Sequence, residues 1–219
     1  MKRFLDIPSL YPHKKGYRIT FDALESSPEY KTLSKEGLKT FEELYCNVQK
    51  RPKKHFKALK QLSEAFPHVP EIANLLTFAY LKLKKQKKAE ALIEQTYHEH
   101  PHHLSARINY ADLVVRRKKI QLVPDIIPLN TLNEQRESFH YTEFRGLMVV
   151  MGFYYLATEE CEKAQECYEL AFQVDPLHPS VATLEKKLQK NAANRIKWVV
   201  LLKKCVKSIQ NLACISKNP

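Results

Sequence analysis

Glycine is scarce in this chain, with 4 residues in 219. That leaves no glycine-rich phosphate loop and too little turn material for an all-β architecture. Neither G-x-x-x-x-G-K nor G-x-S-x-G occurs, so the phosphate-loop and nucleophile-elbow signals are absent. Cysteine is sparse and odd in number. Cys46, Cys161, Cys167, Cys205 and Cys214 contain no C-x-x-C pair and sit in helix-like stretches. A disulfide scaffold is therefore disfavoured, and buried thiols suit a reducing compartment. Long apolar runs are missing too. The longest, Gly146 to Ala157, falls short of the about 20 residues that span a bilayer. Met1-Lys2-Arg3 is followed by no apolar run of signal-peptide length, because Asp6, Pro8 and Pro12 interrupt. The expectation is a soluble, cytoplasmic protein without a transmembrane segment.

What remains is ordinary for a globular chain: 44% hydrophobic and 27% charged residues, with a net charge of +12. The informative feature is periodicity. Ala73, Leu76, Ala79 and Tyr80 recur at helical spacing, then Ala89, Leu92, Ile93 and Thr96 do so again. Lys84-Lys85-Gln86-Lys87-Lys88 separates the two bursts, and Pro101 closes the second. This predicts a helical hairpin. The pattern returns from Arg145 to His178. Met148, Met151, Gly152 and Tyr155 lie on one helix, Ala164, Tyr168 and Ala171 on the next, and Pro176 ends it. Small Gly152 and Ala164 suggest a close crossing of the two helices of that hairpin.

Gly152, Tyr155, Ala164, Ala171 and Pro176, with Leu76, Tyr80, Ala89 and Pro101 in the earlier unit, resemble the tetratricopeptide repeat. Met148, Met151 and Tyr168 are same-sized substitutes, while Thr77 and Thr96 replace small residues. Weaker units cover 36–69 and 104–137, beside 70–103 and 145–178. Pro124 and Pro128 break the second half of the third unit, so a short or kinked helix and a loop are expected over 124–138. The resemblance implies an all-α, right-handed α-solenoid of about four such hairpins over 35–178, with negligible strand content. Residues 1–34 show no helical period and read as an irregular N-terminal arm, with a short strand-like piece at Tyr17 to Phe21. Residues 179–219 read as C-terminal capping helices. Val181, Leu184 and Leu188 mark the first, and Trp198, Leu202, Cys205, Ile209 and Leu212 the second.

Two candidate sites follow. In this family the first helix of each hairpin lines a concave groove that holds a peptide. The matching positions are Asn74, Leu75, Phe78 and Leu81, then Ile108, Asn109, Asp112 and Val115, then Val149, Val150, Phe153 and Leu156. Together with its core residues, the last set makes helix 146–157 apolar all round, so something must cover it: a partner segment, the chain's own ends, or closure of the groove on itself. The second site is electrostatic. Lys50, Arg51, Lys53 and Lys54, then Lys84, Lys85, Lys87 and Lys88, then Arg116, Arg117, Lys118 and Lys119 fall in equivalent turns about 34 residues apart. Stacking would align them as one basic ridge able to hold RNA or another polyanion, or simply as a solvated edge. The histidine-rich run from His98 to His103 invites a metal, but Pro101 breaks the helix needed to aim it, and no metal or cofactor is expected. The expected function is non-catalytic: a protein-interaction adaptor or chaperone holding a peptide or protein segment in an apolar groove, with polyanion binding through the ridge as the alternative.

Overall fold

A computed structural model of the chain describes residues 4–11, 14–22, 27–132 and 136–194. Helices dominate. α1 (Lys35–Lys50) starts at Ser34, whose hydroxyl accepts from the Gly37 N–H at 3.1 Å. That bond satisfies one of the four orphan donors of the first turn. α2 (Pro52–Ala65) and α3 (Pro70–Lys82) each open with a proline, which lacks the N–H that would go unpaired there. α4 (Gln86–Glu99), α5 (Leu104–Arg116), α8 (Tyr141–Ala157) and α9 (Cys161–Val174) continue the series. α6 (Val123–Ile126) and α7 (Leu129–Leu132) are single turns. A last helical segment, α10, runs over 179–194.

The turns that join α3 to α4, α5 to α6 and α8 to α9 repeat one geometry. Lys84, Lys118 and Glu159 each take a left-handed backbone, with φ of 59°, 60° and 65°. The next N–H then reaches back across the turn: Lys85 to the Tyr80 carbonyl at 2.8 Å, Lys119 to Val114 at 2.8 Å and Glu160 to Tyr155 at 2.9 Å. These bonds satisfy carbonyls that the helix end would otherwise leave orphaned. α1 packs on α2 and α3, α3 on α4 and α5, α5 on α8, and α8 on α9. The first-position helices α1, α3, α5 and α8 thus form one inner row.

The strand-like piece read at Tyr17 to Phe21 falls on a strand, and two further short strands join it. The stretch read as an irregular arm contains β1 (Phe4–Ile7) and β2 (Tyr17–Thr20), paired antiparallel. β3 (Phe139–His140) adds in parallel, Ile19 opposite Phe139. The extra residues between the third and fourth hairpins therefore carry a strand as well as a loop. Gly16 is required here, since a Cβ at that position would lie 2.5 Å from the Ile7 carbonyl oxygen. The third unit is also no full hairpin. Pro124 and Pro128 lack the N–H that a continuing helix needs, so its second half is broken into short turns.

The apolar surround of α8 is thereby explained. α9 and α5 take two of its sides, and the sheet takes a third. Tyr17 lies 5.0 Å from the Phe144 ring and 6.0 Å from that of Phe139. α10 takes the remaining side: a Cβ on Gly152 would stand 2.6 Å from a Leu184 methyl. The small residue at 152 therefore serves the contact with the following helix, a correction to its reading as a crossing within its own hairpin. Phe139, Phe144, Leu147 and Met148 are fully buried in this core, each contributing roughly 1.5–3 kcal/mol of transfer free energy. Trp198, Leu202, Cys205, Ile209 and Leu212 lie outside the described residues.

Candidate functional site

The inner row is only partly covered. The sheet fills its α8 end, where Ile7, Tyr17 and Ile19 share one core with Val149 and Val150. Tyr11 reaches the same helix, its hydroxyl 2.8 Å from that of Tyr155. Towards α1 the row stays open as a cleft of about 750 Å³. α3 and α5 form its floor through Glu71, Asn74, Leu75, Phe78, His103, Ser105 and Asn109. Aromatic pairs line both ends. Tyr30 meets Phe41 edge-on at 5.3 Å, and Phe41 lies 5.9 Å from Tyr45. At the other end Phe21 stacks on Tyr141 at 5.4 Å.

The floor is held by hydrogen bonds. Asn109 donates its amide to Asn74 Oδ1 at 3.0 Å. Glu71 accepts from the Ser27 N–H at 2.7 Å and from its hydroxyl at 2.9 Å, which pins the turn carrying Tyr30 against α3. His103 Nε2 stands 3.9 Å from Glu71, and His103 Nδ1 is buried without a partner among the described residues. Burial holds the His103 pKa below its ordinary value, with Glu71 opposing. Burial likewise depresses His140, whose Nδ1 lies 2.6 Å from Thr142 Oγ1 at the start of α8.

Of the groove positions read from the sequence, Asn74, Leu75, Phe78 and Asn109 line this cleft. Ile108, Val149 and Val150 do not; they are core residues. Val115, Phe153 and Leu156 are half-buried against that core. Leu81 is exposed, and Asp112 holds Arg116 at 2.9 Å. The facing asparagines are 35 residues apart in sequence, one more than the repeat period. A shift of one position turns a helical side chain by about 100°. Phe21, Tyr30, Phe41, Tyr45, His103, His140 and Tyr141 went unassigned. Phe41 and Tyr45 carried an i, i+4 signal on α1, whereas Phe21 and Tyr141 come together only through the β2–β3 pairing.

All the ridge residues are exposed, from Lys50, Arg51, Lys53 and Lys54 through Lys84, Lys85, Lys87 and Lys88 to Lys118 and Lys119. Neighbouring turns do touch neighbouring hairpins: Lys85 Nζ stands 4.4 Å from the Phe56 ring centroid of α2. The turns contain no acid, but the fold supplies some. Arg117 pairs with Glu90 and Glu94 of α4, and Arg116 with Asp112 and Glu90. Two of the third turn's four cations are thereby paired.

The histidine run includes H-E-x-x-H lettering at His98-Glu99-His100-Pro101-His102. α4 ends at Glu99 and His100 leaves helical geometry, so His98 and His102 are not one turn apart on a helix. His100 instead faces Glu29 at 3.6 Å. Among the described residues no group of three or more His, Cys, Asp or Glu is placed to hold a metal ion. Among them, too, no helix is long and apolar enough to cross a membrane.

Fold and cleft together define a stack of helical hairpins with one open inner face. No family model matches the chain, and no curated protein matches it. Solved structures similar to the chain include two titled MamA. "MamA 41-end from Desulfovibrio magneticus RS-1" shares 14% identity at a TM-score of 0.44, covering 82% of this chain and 98% of that one. "MamA RS-1 ArsTM double mutant" shares 15% identity at 0.43, covering 78% and 98%. Neither likeness says what this chain binds.

Proposed function

We propose that the protein is a non-catalytic interaction adaptor or chaperone that takes an apolar segment of a protein partner into the cleft between α1, α3, α5 and the start of α8. One observation carries this: the sheet covers the inner row at α8 but leaves an aromatic-lined opening at α1 to α5. Its rim residues Tyr45 and Phe21 are 47% and 42% exposed. Aromatic anchors around a desolvated floor are the features that concentrate binding energy in interfaces. The basic edge is the weaker reading, because Arg116 and Arg117 are already bound to acids of the fold.

Affinity capture with the purified full chain, at low and high salt, tests the proposal. Phe78→Ala is the control. A partner that binds wild type and loses about 2 kcal/mol or more on Phe78→Ala supports the cleft. Partners retained equally by both would place binding elsewhere.

A further inference from the structure

The lining of the cleft runs against the charge of the whole protein. The chain carries +12, yet no Lys or Arg among the described residues lines the cleft. Its lining holds three carboxylates, Asp22, Glu42 and Glu71, and six aromatic rings: Phe21, Tyr30, Phe41, Tyr45, Phe78 and Tyr141. We infer that the cleft accepts a partner segment bearing a lysine or arginine among apolar residues, the cation resting on an aromatic face beside these carboxylates. This rests on the segment-binding reading above and adds the chemistry of the segment.

Several details agree. Asp22 Oδ2 is buried and meets no donor among the described residues; a carboxylate oxygen out of water favours a donor. Glu42 is exposed on α1 and enters no ion pair among the described residues. Glu71 is bonded to Ser27, so it acts at a distance as a fixed negative charge. His103 and His140 do not offset these charges, because burial disfavours their protonated forms. The rings are suited to a cation. Phe21, stacked on Tyr141 at 19° between planes, is 42% exposed, and at Phe78 the chain's own Lys82 shows a cation beside a ring, its Nζ 5.3 Å from the centroid. A cation near an aromatic face contributes about 0.5–2 kcal/mol, more when water is excluded. An acidic segment would meet three like charges and pay repulsion instead.

The test is selection of a displayed random peptide library on the purified full chain, with Phe78→Ala as counter-selection and Glu42→Gln with Asp22→Asn as the charge variant. The expected result is enrichment of peptides with Lys or Arg beside apolar residues. Their binding should be lost on Phe78→Ala and weakened about tenfold or more on the charge variant. Replacing the selected arginine by citrulline should weaken binding by a similar factor. Cleft-dependent peptides with no preference for Lys or Arg would overturn this inference and leave the segment-binding proposal intact. Absence of any peptide sensitive to Phe78→Ala would overturn both.

Discussion

Tyr11 and Tyr155 join their hydroxyls at 2.8 Å across 144 residues of sequence. The bond ties the loop between β1 and β2 to the inner face of α8. Burial pushes the Tyr155 hydroxyl well above its ordinary pKa, and the bond to Tyr11 adds to the shift. Tyr11→Phe or Tyr155→Phe alone leaves a half-buried hydroxyl unpaired and should cost about 1–2 kcal/mol. The double replacement should cost less than the sum, since neither hydroxyl is then stranded. Urea unfolding of the four proteins measures this. Strict additivity would show that the two hydroxyls do not interact.

The left-handed turns predict stabilising substitutions. Lys84, Lys118 and Glu159 hold φ near +60° with a Cβ present, a conformation that costs about 1 kcal/mol without glycine. Each change to glycine should raise stability by a few tenths to 1 kcal/mol, after the entropy of the unfolded chain is subtracted. The three sit in separate turns, so the gains should add. The melting midpoint checks this.

Gly152 and Leu184 form a steric pair. The Leu184 side chain is fully buried and cannot swing away from an added methyl at 152. Gly152→Ala should cost about 1–3 kcal/mol by overpacking. Leu184→Ala should cost about 2–5 kcal/mol by opening a cavity. Combined, they should cost less than the sum, because the new methyl enters the vacated space. Denaturant midpoints of the three variants settle it.

Acid should weaken the fold in a window set by buried histidines. His103, His140 and His178 are each held below the ordinary value of 6.5, chiefly by burial. The unfolded chain therefore binds protons that the folded chain refuses. Stability is full above pH 6.5 and falls as the pH drops below it. Carboxylates such as Glu90, held low by the Gln86 amide and by Arg117, lose their contribution only below their ordinary value of 4.5. The two windows are thus separable. His103→Gln should flatten the upper one, as read from urea midpoints across pH.

Sequence alone determined that the chain would be mostly helical and where the helical bursts would lie. Apolar spacing of three and four, and prolines at Pro70, Pro101 and Pro176, act locally, within a turn or two. The basic character of the turns is legible for the same reason. Tertiary structure decided which helical faces meet. The groove read at 34-residue spacing gained Asn74, Leu75, Phe78 and Asn109 but lost Ile108, Val149 and Val150 to the core. Small rotations between successive helices change the exposed face without changing the period. It also decided what the strand-like piece at 17–21 pairs with, and that the small sheet lies on α8. Strand pairing of Ile19 with Phe139 is a contact between segments over a hundred residues apart, and nothing in either short stretch names its partner. That pairing brings Phe21 beside Tyr141, closes one end of the inner row and leaves the acidic, aromatic end open.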